Sequence, residues 1–296
     1  MRDIVVGIDS SAGSERTLDR AFLEAERTGC PLRVVYAWTA QIWLGASGSG
    51  LVYAAPLPAP EESRKAAEQF LAEVVAKGLS RRTSATPVEL RTETHEGDAG
   101  RVLSRLSNDA VLLVVGGSGH GQLASALLGS VTSHVLHHAT CPVMVVPSGA
   151  PVTPFARVVV GLDGSESSRA AFAWALAEAG PVPLVAVHAW IVNTAPLPIP
   201  YTSLPAGAAY ERDAEVWLEQ EVALGLGTQQ GTNVLRRLPY GPAVAALLNE
   251  TGPDDLLVLG SRGHGGFASL ILGSVASQCT AHASGTVVVV RERPAS

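Results

Sequence analysis

The sequence predicts an α/β fold built twice, as two tandem domains that each carry a parallel sheet covered by helices. Three observations predict it. Short apolar runs alternate with stretches of helical spacing, which is the pattern of βαβ units with right-handed crossovers. The pattern restarts in mid-chain, where Arg157-Val-Val-Val-Gly161-Leu-Asp163-Gly-Ser matches Asp3-Ile-Val-Val-Gly7-Ile-Asp9-Ser-Ser. A glycine segment also recurs in register: Gly116, Gly119 and Gly129-Ser130 in one half, Gly260, Gly263 and Gly273-Ser274 in the other. The differences 260 − 116, 263 − 119 and 273 − 129 all equal 144.

The elements follow in order. Residues 4–8 form a β-branched run of the buried-strand type. Residues 14–28 have helical spacing, with Leu18, Ala21, Phe22 and Ala25 on one side, and 32–38 read as a second strand. The stretch 46–60 is too rich in Gly, Ser and Pro for a regular element. The longest helix is expected over 61–79, with Ala66, Phe70, Val74 and Val75 on one face. A strand over 88–94, a helix over 99–106, a strand over 111–115, a helix over 130–138 and a strand over 143–146 complete the first copy. Composition makes 148–155 a linker between a first domain over 1–147 and a second over 156–294. In the second copy, residues 185–190 match 33–38, Pro-rich 196–205 repeats the insertion, and Gly241-Pro-Ala-Val matches Gly97-Asp-Ala-Gly. The strand-end aspartates differ by 163 − 9 = 154 against 144 for the glycines, so the middle of the second copy is ten residues shorter.

Ligands of such sheets lie beyond the carboxyl ends of the strands. Asp9, Ala37 and the turn at Gly116 all fall there in the first copy, so they can converge on one crevice. Glycines at a strand-to-helix turn let backbone N–H groups approach an anion, and a helix N-terminus favours negative charge. Ser130 and Ser274, followed by Val131 and Val275, stand where a helix N-cap is expected. Capping alone would explain one such serine; two copies in register with three glycines favour a phosphate site in each half. Asp9 and Asp163 fit a turn aspartate or a group orienting a nucleotide. Arg262 lies inside the second glycine turn, either on phosphate or simply exposed. Ser118 replaces it in the first copy, so the first site is expected to hold phosphate more weakly. His120 and His264 recur inside the same turns, where they contact ligand or only shape the loop.

Other classes are disfavoured. The net charge of −6 argues against a nucleic-acid binder. With only two lysines, Lys65 and Lys77, no glycine turn carries a Walker-type lysine. Both Gly119-His-Gly121-Gln-Leu-Ala124 and Gly263-His-Gly265-Gly-Phe-Ala268 fit GxGxxA. They follow the fourth strand of their repeat, however, and lack the acidic residue a dinucleotide fingerprint needs. His134, His137 and His138 share a helix but have no third ligand type near them, so no metal site is assigned. No nucleophile–base–acid set emerges, and no catalytic residue is assigned. Cys30, Cys141 and Cys279 read as isolated structural thiols. The opening strand and the lack of any long apolar stretch lead us to expect a soluble, cytoplasmic protein with no membrane partner.

The residues resemble the universal stress protein family, whose ATP-binding members carry G-x2-G-x9-G-[S/T]. Gly116, Gly119, Gly129 and Ser130 fit it in full, as do Gly260, Gly263, Gly273 and Ser274. The likeness extends to Asp9 and Asp163, to Ala37 and Ala189, and over nearly the whole chain, and the tandem layout is similar to actinobacterial two-domain members. It implies Rossmann-like, adenine-nucleotide-binding domains with five parallel strands each. The aspartates and the surroundings of Ala37 and Ala189 would face adenosine. The glycines and serines would cradle ribose and phosphates of ATP, usually with Mg2+. The family also implies pairing of the two domains through the last strands, 143–146 against 287–290, and leaves a homodimer open. The expected role is a nucleotide-dependent stress-response regulator. The alternatives are a slow Mg-dependent ATPase, with Asp163 or His264 as the only bases on offer in the second copy, and a nucleotide-free scaffold.

Overall fold

The computed structural model describes residues 2–39, 44–46, 52–54, 60–84, 86–117, 128–191, 207–227, 233–263 and 272–292. The first half runs β1 (Asp3–Ile8), α1 (Gly13–Thr28), β2 (Leu32–Trp38), β3 (Leu44–Ala46), β4 (Val52–Ala54), α2 (Pro60–Arg81), β5 (Leu90–Glu96), α3 (Ala99–Leu106), β6 (Ala110–Gly116), α4 (Ser130–His138) and β7 (Val143–Val146). The second runs β8 (Val158–Gly161), α5 (Glu166–Ala179), β9 (Leu184–Val187), α6 (Gly207–Leu226), β10 (Val234–Arg237), α7 (Ala243–Glu250), β11 (Leu256–Gly260), α8 (Ser274–His282) and β12 (Thr286–Val290).

Each half builds a parallel sheet of the same order, β5-β2-β1-β6-β7 and β10-β9-β8-β11-β12. The inner strands are buried, which is why they read as Val, Ile and Leu runs, whereas the outer β5 and β10 carry exposed polar residues. The two sheets then join, because β7 pairs antiparallel with β12: Val143 faces Val289, Met144 faces Val288 and Val145 faces Val287. An apolar strand left as an open edge would recruit another chain, and pairing the two copies closes both edges at once. The result is one ten-stranded sheet. Alternate side chains of β7 and β12 enter different cores: Met144, Val146, Val288 and Val290 on the α1/α5 face, Val143, Val145, Val287 and Val289 on the α4/α8 face. Each core is therefore continuous across the boundary between the repeats.

Two features lie beyond the sequence pattern. Leu44–Ala46, at the front edge of the Gly/Ser/Pro-rich stretch, pairs with Val52–Ala54 inside it as an antiparallel ribbon. The segment that composition marks as a linker is also packed down. Ala150 is fully buried, Arg16 donates to its carbonyl at 3.2 Å, and Arg20 donates to Pro151 O at 2.8 Å with its guanidinium 4.1 Å from the Phe155 ring centre. Arg20 is itself buried, and burial pushes its pKa down against the opposing pull of Glu24. Arg27 then spans the repeats, holding Glu24 of α1 and Glu178 of α5.

Candidate functional site

In each half the strand order reverses at the first strand, whose neighbours are the second and the fourth: β2 and β6 flank β1, β9 and β11 flank β8. That reversal opens a crevice at the carboxyl ends of the strands. The residues singled out in the sequence gather there. Asp9 follows β1 and Asp163 stands two residues beyond β8. Ala37 lies in β2 and Ala189 two residues beyond β9. Gly116 and Gly260 close β6 and β11. Because β7 and β12 are antiparallel, the two mouths open on opposite edges of the sheet.

The second mouth is built by serines of the first turn of α5. Asp163 accepts from Ser165 N–H at 3.0 Å and from Ser165 Oγ at 2.6 Å, so the aspartate fixes the turn that leads into the helix. Gly164 supplies the positive φ of 82° that this turn needs. Ser165 caps α5 by accepting from Ser168 N–H, and its hydroxyl oxygen lies 3.2 Å from Arg262 O. Ser167 Oγ accepts from Arg262 N–H at 3.2 Å. The glycine turn is thereby strapped to α5 by its backbone, leaving the Arg262 side chain exposed at the mouth. Gly260 must lack a side chain, since a Cβ would come within 2.6–2.8 Å of the backbone of Ser167 and Ser168. At Gly263 a Cβ would overlap the Asp163 carboxylate.

The first mouth repeats the plan. Asp9 accepts from Ser11 N–H at 2.9 Å and from the hydroxyls of Ser11 and Ser14. Gly117 N–H donates to Val146 O as Ser261 N–H does to Val290 O, and Gly129 N–H donates to Gly117 O as Gly273 N–H does to Ser261 O. Gly97 and Gly241, at φ 135° and 137°, donate to Trp38 O and Trp190 O and tie the rear wall to the end of the second strand in both halves. The serines around the aspartates were not singled out in the sequence; an Asp followed by Ser at the end of a strand was the only signal for them.

The helix starts bear directly on anion binding. The N-caps are Gly129 and Gly273, whose carbonyls accept the first helical bonds from Ser133 and Ser277. Ser130 and Ser274 are therefore the first helical residues and not the caps, and neither helix has a side-chain cap. The N–H groups ahead of Ser133 and Ser277 have no acceptor within their helices. Beside them the hydroxyls of Ser130 and Ser274 are exposed. Val131 and Val275 anchor the turns by packing on the core of that face.

Charge differs between the mouths. Arg291, just beyond β12, is held below its usual pKa by burial and then by the nearby Arg262. Glu292 is raised by a hydrogen bond with Glu166, with Arg262 opposing the shift. At the flank of the second mouth His188 Nδ1–H donates to Leu162 O at 2.9 Å and its ring lies 4.2 Å from Trp217; Tyr36 and Phe70 make the corresponding pair in the first. Of these, only Arg262 was singled out in the sequence as a site residue.

Gly119, Ser118, His120 and His264 lie outside the described residues. His134 and His138 stack at 4.2 Å on α4, and no group of three or more His, Cys, Asp and Glu gathers among the described residues. Among the described residues no helix is long and apolar enough to cross a membrane.

Comparison with known proteins places this geometry. The model of the universal stress protein family matches twice, over residues 1–147 and 154–291. A universal stress protein of Mycolicibacterium smegmatis is 33% identical over 304 residues, covering 98% of this chain and 97% of its own. One from Mycobacterium tuberculosis is 31% identical over 300 residues, covering 97% and 96%. The crystal structure of a universal stress protein from Archaeoglobus fulgidus superposes with a TM-score of 0.67 over 98% of each chain, at 20% identity.

Proposed function

The chain belongs to the universal stress protein family, and from that membership we propose that each repeat binds an adenine nucleotide, ATP with Mg2+, as a regulator of the stress response. The phosphates lie at the starts of α4 and α8, against the N–H groups that follow Gly129 and Gly273 and the hydroxyls of Ser130 and Ser274. Gly116, Gly119, Gly260 and Gly263 let the backbone come close, and Arg262 adds a cation in the second repeat only. Asp9 and Asp163, with Ala37 and Ala189, border the adenosine. Mg2+ usually arrives on the phosphates, keeps several waters and takes one or two carboxylates from the protein, a demand that Asp9 or Asp163 fits.

The observation that carries the reading is the pair of glycine-capped helices with exposed serines and no capping side chain, folded alike in two places. A Ser or Asp cap would satisfy one of the free N–H groups at a gain of only about a few tenths of a kcal/mol over glycine; glycine leaves those groups open, with room for an anion. Nucleotide occupancy then acts on shape or on assembly of two chains, in the cytoplasm. The test is acid extraction of the purified protein for nucleotide, followed by calorimetry with ATP and Mg2+. About two ATP per chain, one bound more weakly, is expected from the charge difference. No nucleotide and no heat would leave an interaction scaffold.

A further inference from the structure

The antiparallel junction sets α4 across the sheet from one mouth to the other. The helix starts at Gly129 in the first mouth, and its nine residues carry it about 13 Å toward the edge where the second mouth opens. At that far end the Leu136 carbonyl accepts from Arg291 Nη2 at 2.6 Å. Arg291 follows Val290, whose carbonyl accepts from Ser261 N–H, so it leaves β12 beside the glycine turn that holds Arg262. Two guanidiniums thus stand at one mouth, close enough that the charge of Arg262 depresses the pKa of the half-buried Arg291. Among the described residues neither forms an ion pair. Of the carboxyls nearby, Glu292 is pushed up by Glu166, with Arg262 opposing that shift.

We propose that Arg291 is a second phosphate-contacting residue of the second site, aimed by helix α4 of the first repeat. The inference rests on the nucleotide reading above and extends it to a residue outside the glycine motif. A guanidinium has five donors in a planar fork, so one arm can hold the helix carbonyl while the rest turns to a phosphate. An anion between Arg262 and Arg291 offsets their repulsion. The offset of 144 puts Pro147 opposite Arg291 and Ser118 opposite Arg262, so the first mouth lacks both cations. The link is also single: Pro147 offers no donor to the end of α8.

The test is calorimetry of the full chain with ATP–Mg2+ and, separately, adenosine, on the unaltered protein, Arg291→Ala and Arg291→Lys. Arg291→Ala is expected to weaken the tighter ATP site about tenfold while leaving the weaker site and adenosine binding unchanged. Arg291→Lys should lose about threefold for ATP, since a compact ammonium lacks the planar fork whose separate arms reach the carbonyl and the phosphate. If Arg291→Ala fails to fold, Arg291→Lys carries the test alone. Unchanged ATP binding in the variants overturns the inference, as does an equal loss for adenosine, which would mark a structural clamp. Full ATP affinity in Arg291→Lys refutes the aiming by α4. If the unaltered chain binds adenosine or ATP at neither mouth, the nucleotide reading fails and this inference with it.

Discussion

Replacing Gly263 by alanine separates a ligand site from a structural turn. Gly263 is free of positive-φ strain, so the cost of a side chain there is one of space. The added Cβ overlaps the Asp163 carboxylate, which must swing away and give up its bonds from Ser165 N–H at 3.0 Å and Ser165 Oγ at 2.6 Å. At about 1 kcal/mol for each neutral donor, the loss is about 2 kcal/mol at most, because water reaches the displaced carboxylate. For a chain of this size that lowers Tm by about 3 °C. The β-sheet and helices are untouched, so far-UV circular dichroism should be unchanged. ATP affinity at the second mouth should fall at least about tenfold, because both the aspartate and the close backbone approach are lost. Gly260→Ala is the contrast: its Cβ meets the backbone of Ser167 and Ser168 at 2.6–2.8 Å, which no rotamer can relieve, and destabilisation by about 1–3 kcal/mol should dominate. A Gly263→Ala protein that melts lower yet binds ATP as before would refute the assignment of this turn to the ligand.

Other outcomes follow from the same geometry. Burial pushes the Cys279 thiol up to about 12 and Cys141 is also buried, so a thiol reagent at pH 8 should label only Cys30 in the native protein and all three after denaturation; rapid native labelling of Cys279 would contradict the packing. Asp255→Asn breaks a two-pronged pair with Arg157 and weakens the bond from Gly252 N–H, and should cost about 2 kcal/mol in urea unfolding, less than a fully buried pair because Arg157 is 38% exposed. His134 is held below 6.5, by burial first and then by His138. Its folded pKa lies below the unfolded one, so its stabilising share is full above pH 6.5 and fades as pH falls through the folded value. An NMR titration midpoint at or above 6.5 would contradict that sign. Val288→Glu puts a charge into the fully buried β7–β12 junction and should unfold or part the repeats, seen as loss of the single cooperative melt.

Most of the framework was legible in the chain itself. Apolar runs set β2, α3, α4 and β7 at the bounds observed, because a buried parallel strand or a short amphipathic helix has few alternative readings. The glycine offset of 144 and the aspartate offset of 154 fixed which residues correspond between the copies, and the strand pattern put Asp9 and Gly116, like Asp163 and Gly260, at or just beyond strand ends. Local pattern misplaced the cap: Ser130 and Ser274 have the residue type of an N-cap, yet Gly129 and Gly273 take that position because their carbonyls accept the first helical bonds. The antiparallel ribbon of β3 and β4 was also hidden, since its strands are three residues each among breakers.

What the sequence by itself determined is the unit: strand–helix alternation, two copies, and a glycine turn at the end of each fourth strand. These depend on neighbours a few residues apart, whose periodicity and turn chemistry are written locally. The family resemblance implied that the last strands pair, and the tertiary structure decided the direction of that pairing and what it brings together. Joining β7 to β12 antiparallel turned the mouths to opposite edges, laid α4 from one to the other, and brought Arg291 to Arg262 and to Leu136, 155 residues away. No periodicity records such a meeting, because the partners are fixed by the twofold packing of whole sheets and not by any pattern along the chain.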